Sequence, residues 1–196
     1  MKRKINPPAS SFTLNGQPLK LVSTTRDLGV LISANRSPRD HCVFVSKKAS
    51  RLVYLVTKHL LSKNLEVYTK AFKALIRPGL EYASLVWSPW RIVEVNMIEN
   101  VQRTFTRRIL YKRGITGLTY SQRLQHLGLE SLEMRRVKSD LIYLYKIING
   151  YTGISDKLFF SRPSAVVRGH QCRIRSRLPV YDDHSKYGFS NHTASL

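Results

Sequence analysis

The chain has 196 residues, 33 Lys plus Arg against 12 Asp plus Glu, a formal net charge of +21 and a pI near 10.4. With 42% hydrophobic residues it can bury a core as one domain or two small ones without any staple, and no apolar run approaches the roughly 20 residues of a membrane-spanning helix. The basic start Met1-Lys2-Arg3-Lys4 runs into Asn6-Pro7-Pro8 instead of a hydrophobic segment, and Cys42 and Cys172 lie far apart with no CxxC, so the expected compartment is intracellular, nucleus or cytoplasm, with reduced thiols.

Residues 9 to 33 read as strands. Phe12-Thr13-Leu14 and Leu19-Lys20-Leu21-Val22 flank Asn15-Gly16, a type I′ hairpin signal, with Pro18 marking an edge or a bulge. Leu28-Gly29-Val30-Leu31-Ile32 reads as a third short strand, closed by a loop over Ser33-Ala34-Asn35 and Ser37-Pro38. From Asp40, a candidate N-cap, the period changes to about 3.6, with Val45, Ala49, Leu52, Val53, Val56 and Leu60 on one face. A second helix follows Asn64, with Leu65, Tyr68, Phe72, Leu75 and Ile76 as its stripe and Pro78-Gly79 ending or kinking it. The aromatic segment Leu80 to Trp90 is expected to be buried. A third helix carries Ile98, Val101, Phe105 and Ile109 until Gly114, and a short one ends at Gly128. The last starts near Ser131, shows Met134, Val137, Leu141, Leu144 and Ile148, and stops at Asn149-Gly150. Beyond it the pattern fades. The expected organisation is a β-hairpin segment over 1–39, a helical domain over 40–150 and a loosely ordered basic tail over 151–196: mainly α with a small N-terminal β segment.

Constellations for catalysis are scarce. Asp182-Asp183 is the one adjacent acidic pair, but an aromatic-x-Asp-Asp metal turn needs its aromatic where Val180 stands, one place before Tyr181. His170, Cys172, His184 and His192 miss the paired spacing of zinc sites, and there is no Gly-rich phosphate loop and no GxSxG, so neither a metal nor another cofactor is expected. The basic residues are more informative. Lys47, Arg51, Tyr54 and Lys58 recur at spacings of four, three and four, in one row opposite the apolar stripe of their helix. Lys70, Lys73 and Arg77 line the polar face of the next, with Glu66 placed to pair with Lys70; Arg103, Arg107, Arg108, Lys112 and Arg113 crowd the second half of the third. Three basic stripes with so few acids point to a polyanion, nucleic acid first.

Three segments carry a family resemblance: Arg26-Asp27-Leu28-Gly29-Val30; Arg77-Pro78-Gly79-Leu80-Glu81-Tyr82-Ala83-Ser84-Leu85-Val86-Trp87-Ser88-Pro89; and Ile98-Glu99-Asn100-Val101-Gln102-Arg103-Thr104-Phe105-Thr106-Arg107-Arg108-Ile109. In this order, continued by Tyr120-Ser121-Gln122-Arg123-Leu124 and by Leu132-Glu133-Met134-Arg135-Arg136, they resemble the region after the polymerase palm in reverse transcriptases of LINE-type, Jockey-like non-LTR retrotransposons. The resemblance implies that Leu28, Gly29 and Val30 belong to a primer grip and that the helices from Asp40 form a thumb. By the same resemblance the palm with its metal-binding aspartates lies outside this chain, which is then a non-catalytic fragment of an RNA-directed DNA polymerase. Its partner is expected to be RNA or an RNA/DNA duplex, gripped by its backbone with little sequence preference and without a membrane. The alternative from another class is a structural basic protein docked in a ribonucleoprotein assembly.

Overall fold

The computed structural model describes residues 12–161 and 175–176. Two β-hairpins come first. Strands β1 (Thr13–Leu14) and β2 (Gln17–Pro18) pair antiparallel around Asn15-Gly16, whose φ values of 52° and 78° are those of the expected I′ turn. Beyond Pro18 the expected strand over Leu19 to Val22 does not form; a single bond from the Leu19 N–H to the Phe12 carbonyl (2.7 Å) continues the ladder. Strands β3 (Thr24–Asp27) and β4 (Val30–Ser33) form the second hairpin. Its turn is Leu28-Gly29 (φ 43° and 89°), so the run expected to be one strand from Leu28 begins with a turn, because Gly29 supplies the left-handed backbone that a tight reversal needs. β1, β2 and β3 are exposed along their whole length, whereas β4 buries Val30 and Ser33 against the helices.

The remainder is mainly helical. Helix α1 (Arg39–His59) buries Cys42, Val45, Ala49 and Val53 along the stripe read from its spacing. Its N-cap is Pro38, not Asp40; Asp40 lies in the first turn, where its carboxylate suits the positive end of the helix dipole and accepts a 2.6 Å bond from the Ser33 hydroxyl. Asn64 caps α2 (Leu65–Ala71) by accepting from the Glu66 N–H at 2.8 Å. Pro78 does not stop the helical path. The turn Phe72–Ile76 widens to π geometry, Arg77 bonds to the Phe72 carbonyl, and α3 (Arg77–Glu81) carries Pro78 in its first turn, where no amide donor is required. Ala83, left-handed at φ 52°, turns the chain into α4 (Ser84–Trp87), and the Trp87 indole N–H donates to the Tyr82 carbonyl at 2.7 Å.

Helix α5 (Ile92–Tyr111) is central, burying Ile98, Val101, Phe105 and Ile109, with Phe105 stacked on Phe72 at 4.6 Å. Each of these aromatic side chains contributes about 3–5 kcal/mol by the cost of truncating it in a closed core. A Thr119/Gln122 capping box starts α6 (Tyr120–Leu127), and left-handed Gly128 ends it. Helix α7 (Leu132–Ile148) is capped by Ser131.

The buried face of α7 follows its apolar spacing only in part: Leu144 is buried and Val137 and Ile148 are half-buried. Met134 and Leu141 are 52% and 42% exposed, and the face turned inward is Leu132, Arg136, Asp140, Leu144 and Ile147. Charge compensation permits this: burial weakens the hold of Arg136 on its proton, while the fields of Glu99, Glu133 and Asp140 favour its charged form. Beyond Asn149, the described part of the last segment holds a 3₁₀ turn (Asp156–Leu158) and strand β5 (Phe160–Ser161), paired antiparallel with β6 (Arg175–Ser176), with Phe160 buried.

Candidate nucleic-acid interface

Helices α1 and α5 pack side by side and run in the same direction. The Ser46 hydroxyl donates to the Met97 carbonyl at 3.4 Å, and about three to four turns further on the Lys112 ammonium donates to the Thr57 carbonyl. Between them lies an open groove of about 560 Å³. Its α1 bank is Val43, Ser46, Lys47, Ser50 and Arg51; its α5 bank is Met97, Asn100, Val101 and Thr104. The short side chains Ser46, Ser50 and Thr104 leave the space between the banks unfilled. Lys47 and Arg51 stand exposed one turn apart, and no carboxylate is in the lining.

The row expected on α1 is continuous. Tyr54 is 50% exposed, and the Lys58 ammonium lies 5.4 Å from the centre of its ring, so the aromatic anchors the last cation of the row. On α5, Arg108 follows Thr104 by four residues and so extends the facing bank, and Arg107 is exposed next to it. Arg103 turns toward α6: it bonds Asn96 and Asn100, both at 3.1 Å, and lies over the Tyr120 ring.

The remaining basic residues stand apart from the groove. Lys70 pairs with Glu66 at 2.8 Å, both exposed, as its spacing indicates. Lys73 is exposed on the π turn, and Arg77 is half-buried, 3.9 Å from Glu81, a carboxylate that also holds Arg135 through a two-pronged bond. Leu28 is 85% exposed at the tip of the second hairpin, its carbonyl accepting from the Tyr82 hydroxyl at 3.0 Å; Gly29 passes 3.5 Å from the Tyr82 ring, measured from where a Cβ would stand, and Val30 is buried. Charge periodicity could not have shown Ser50, Asn100 and Thr104 as groove residues, since neutral short side chains leave no such pattern. A search for small polar residues at facing positions of two helices would have found them.

Two titrating groups in the described core, Cys42 and His41, are shifted toward their neutral forms. Burial, with the charge of Glu94 adding to it, pushes the Cys42 thiol up to about 12. Burial, helped by Arg26, lowers His41 below its ordinary range, and its Nδ1 accepts from the Leu31 N–H at 3.1 Å. Among the described residues no group of three or more His, Cys, Asp or Glu could hold a metal ion, and no helix is long and apolar enough to cross a membrane. Asp182, Asp183, His170, Cys172, His184 and His192 lie outside the described residues.

No family model matches the chain, and no solved structure matches it. It is similar to a Caenorhabditis elegans protein described as uncharacterized protein B0403.1, with 20% identity over 140 residues, 71% of each chain.

Proposed function

We propose that this chain binds the phosphate backbone of a nucleic-acid duplex along the α1/α5 groove, as the non-catalytic, thumb-like part of a LINE-type reverse transcriptase. The observation that carries the reading is the groove itself: Lys47 and Arg51 on one bank, Asn100 and Thr104 beside Met97 and Val101 on the other, and no acid in the lining. Such a surface suits sequence-independent contact, because cations and hydroxyls meet phosphate oxygens without reading base edges. The Leu28-Gly29 turn, tied to Tyr82, is the primer-grip element of the same reading. With the palm carried elsewhere, the chain positions a template–primer duplex and catalyses nothing alone.

Photo-crosslinking tests the placement. A photoreactive side chain at Ser50, in the groove, should capture a labelled RNA–DNA hybrid, whereas the same group at Lys73 should not; equal capture at both positions refutes the groove. A second reading, a basic protein fixed in a ribonucleoprotein assembly, is favoured by the exposed apolar side chains Phe12, Leu14, Leu21 and Leu28 near the N-terminus. It requires co-sedimentation with one particle after a high-salt wash, which a reversible duplex clamp does not survive.

A further inference from the structure

The last turns of α5 and the loop 112–119 enclose a separate cleft of about 280 Å³. Leu110, Ile115 and Leu118 give it apolar lining; Tyr111, Arg107 and Arg123 of α6 complete its wall. Gly114 and Gly117, left-handed at φ 70° and 77°, let the loop fold back over the end of α5. The lining holds two guanidinium groups and no carboxylate.

Arg123 is preorganised. Its guanidinium carbon lies 5.6 Å from the centre of the Tyr120 ring, which also carries Arg103 at 5.1 Å. The ring is fixed in turn, its hydroxyl donating to Glu99 and accepting from the Gln102 amide at 3.1 Å, while that amide also donates to the Glu130 carbonyl at 2.8 Å. A cation held over a ring in this way is attracted by its face and keeps N–H donors for a further acceptor. Among the described residues the Arg123 Nε–H is buried and has no hydrogen-bond partner, a donor that is costly to leave unmade.

We propose that this cleft binds the phosphate of one nucleotide unit, Arg107 and Arg123 holding the phosphate oxygens and Tyr111 with the apolar lining covering the attached sugar or base. Two guanidiniums match a doubly charged phosphate better than a carboxylate. The volume sits just under the roughly 300–1,000 Å³ of small-ligand sites, enough for one unit and not for two. The cleft uses Tyr111, Arg107 and Arg123, none of which lines the α1/α5 groove, so it stands or falls separately from duplex binding there.

Calorimetric titration of the full chain with adenosine 5′-monophosphate and with adenosine is the test. The monophosphate should bind at least about tenfold more tightly than the nucleoside, and Arg107→Gln and Arg123→Gln should each remove about tenfold, the scale of one charge-assisted bond. Arg107 is exposed, so its variant keeps the fold, and Arg123→Lys, which retains charge but loses the planar fork of donors, should also weaken binding. The combined Lys47→Gln, Arg51→Gln and Lys58→Gln variant should bind the monophosphate as the parent does. A 5′-phosphorylated oligonucleotide that outcompetes its 5′-hydroxyl counterpart assigns the site to strand ends; equal competition assigns it to internal backbone phosphates, and no competition by either to free nucleotides. Equal affinity for nucleoside and monophosphate, full binding by Arg107→Gln, or binding of a phosphopeptide in place of the nucleotide overturns the proposal.

Discussion

Replacing Glu99 by alanine is expected to cost about 3–5 kcal/mol of folding stability. Glu99 is 3% exposed in the middle of α5, and its carboxylate accepts from three donors on other elements. Oε1 takes the Tyr120 hydroxyl and the Leu132 N–H at 3.2 Å, and Oε2 takes the Glu133 N–H at 3.2 Å. Leu132 and Glu133 open α7, where amides have no partner within the helix, so Glu99 reaches across from α5 to cap it, with its negative charge at the favourable end of the dipole. Removing the carboxylate leaves three donors unmet at about 1–3 kcal/mol each, offset in part by the relief of a buried charge. For a domain of this size each kcal/mol moves the thermal midpoint by about 2–4 °C, so a fall of roughly 10 °C is expected. Tyr120→Phe removes one donor and should cost about 1–2 kcal/mol. Urea titrations of the two single variants and the double variant give the coupling directly. A loss below about 1 kcal/mol for Glu99→Ala, with an unchanged urea slope, would refute the capping argument.

Two further outcomes concern titration in the core. Because His41 takes its proton below the ordinary value of 6.5 when folded, the unfolded chain binds that proton first as pH falls; stability should be full above about pH 6.5 and decline below it by at most about 1.4 kcal/mol per pH unit. Urea midpoints between pH 7.5 and 5 should show this decline and lose part of it in His41→Phe; parallel profiles for the two proteins would contradict it. Cys42, held neutral by burial, should resist a disulfide thiol reagent at pH 8 in a Cys172→Ser background and react fully on unfolding, whereas rapid native reaction would contradict its burial.

Local chemistry made much of this fold legible. Asn15-Gly16 announces its hairpin because few other pairs tolerate two left-handed residues, and Ile98, Val101, Phe105 and Ile109 mark a buried face of α5 because they recur at spacings of three and four. Helix α7 is legible only in part for the opposite reason: Arg136 and Asp140 are buried on it, and the Glu99 charge that favours the charged form of Arg136 comes from α5, which hydropathy along one helix cannot register. The π turn before Pro78 escaped in the same way, since a proline's usual role as a stop hides a widened turn that accommodates it. Of the candidate interface, the Lys47, Arg51, Tyr54 and Lys58 row could be read from spacing alone. That Thr104 and Asn100 face it, and that Lys70 and Arg77 do not line the groove, follows from how the helices pack.

The central claim is that cations of the α1 row meet a duplex backbone, and a salt titration of a labelled RNA–DNA hybrid tests it most directly. Contacts from Lys47, Arg51, Lys58 and Arg108 would give a log–log salt slope of about −3.6, a loss of roughly 2 decades in affinity between 50 and 200 mM salt. Changing Lys47, Arg51 and Lys58 together to Gln preserves helix-compatible side chains and should make the slope shallower by about 2 to 3 units, alike for unrelated sequences. An unchanged slope in a triple variant that circular dichroism shows to be folded would contradict the account.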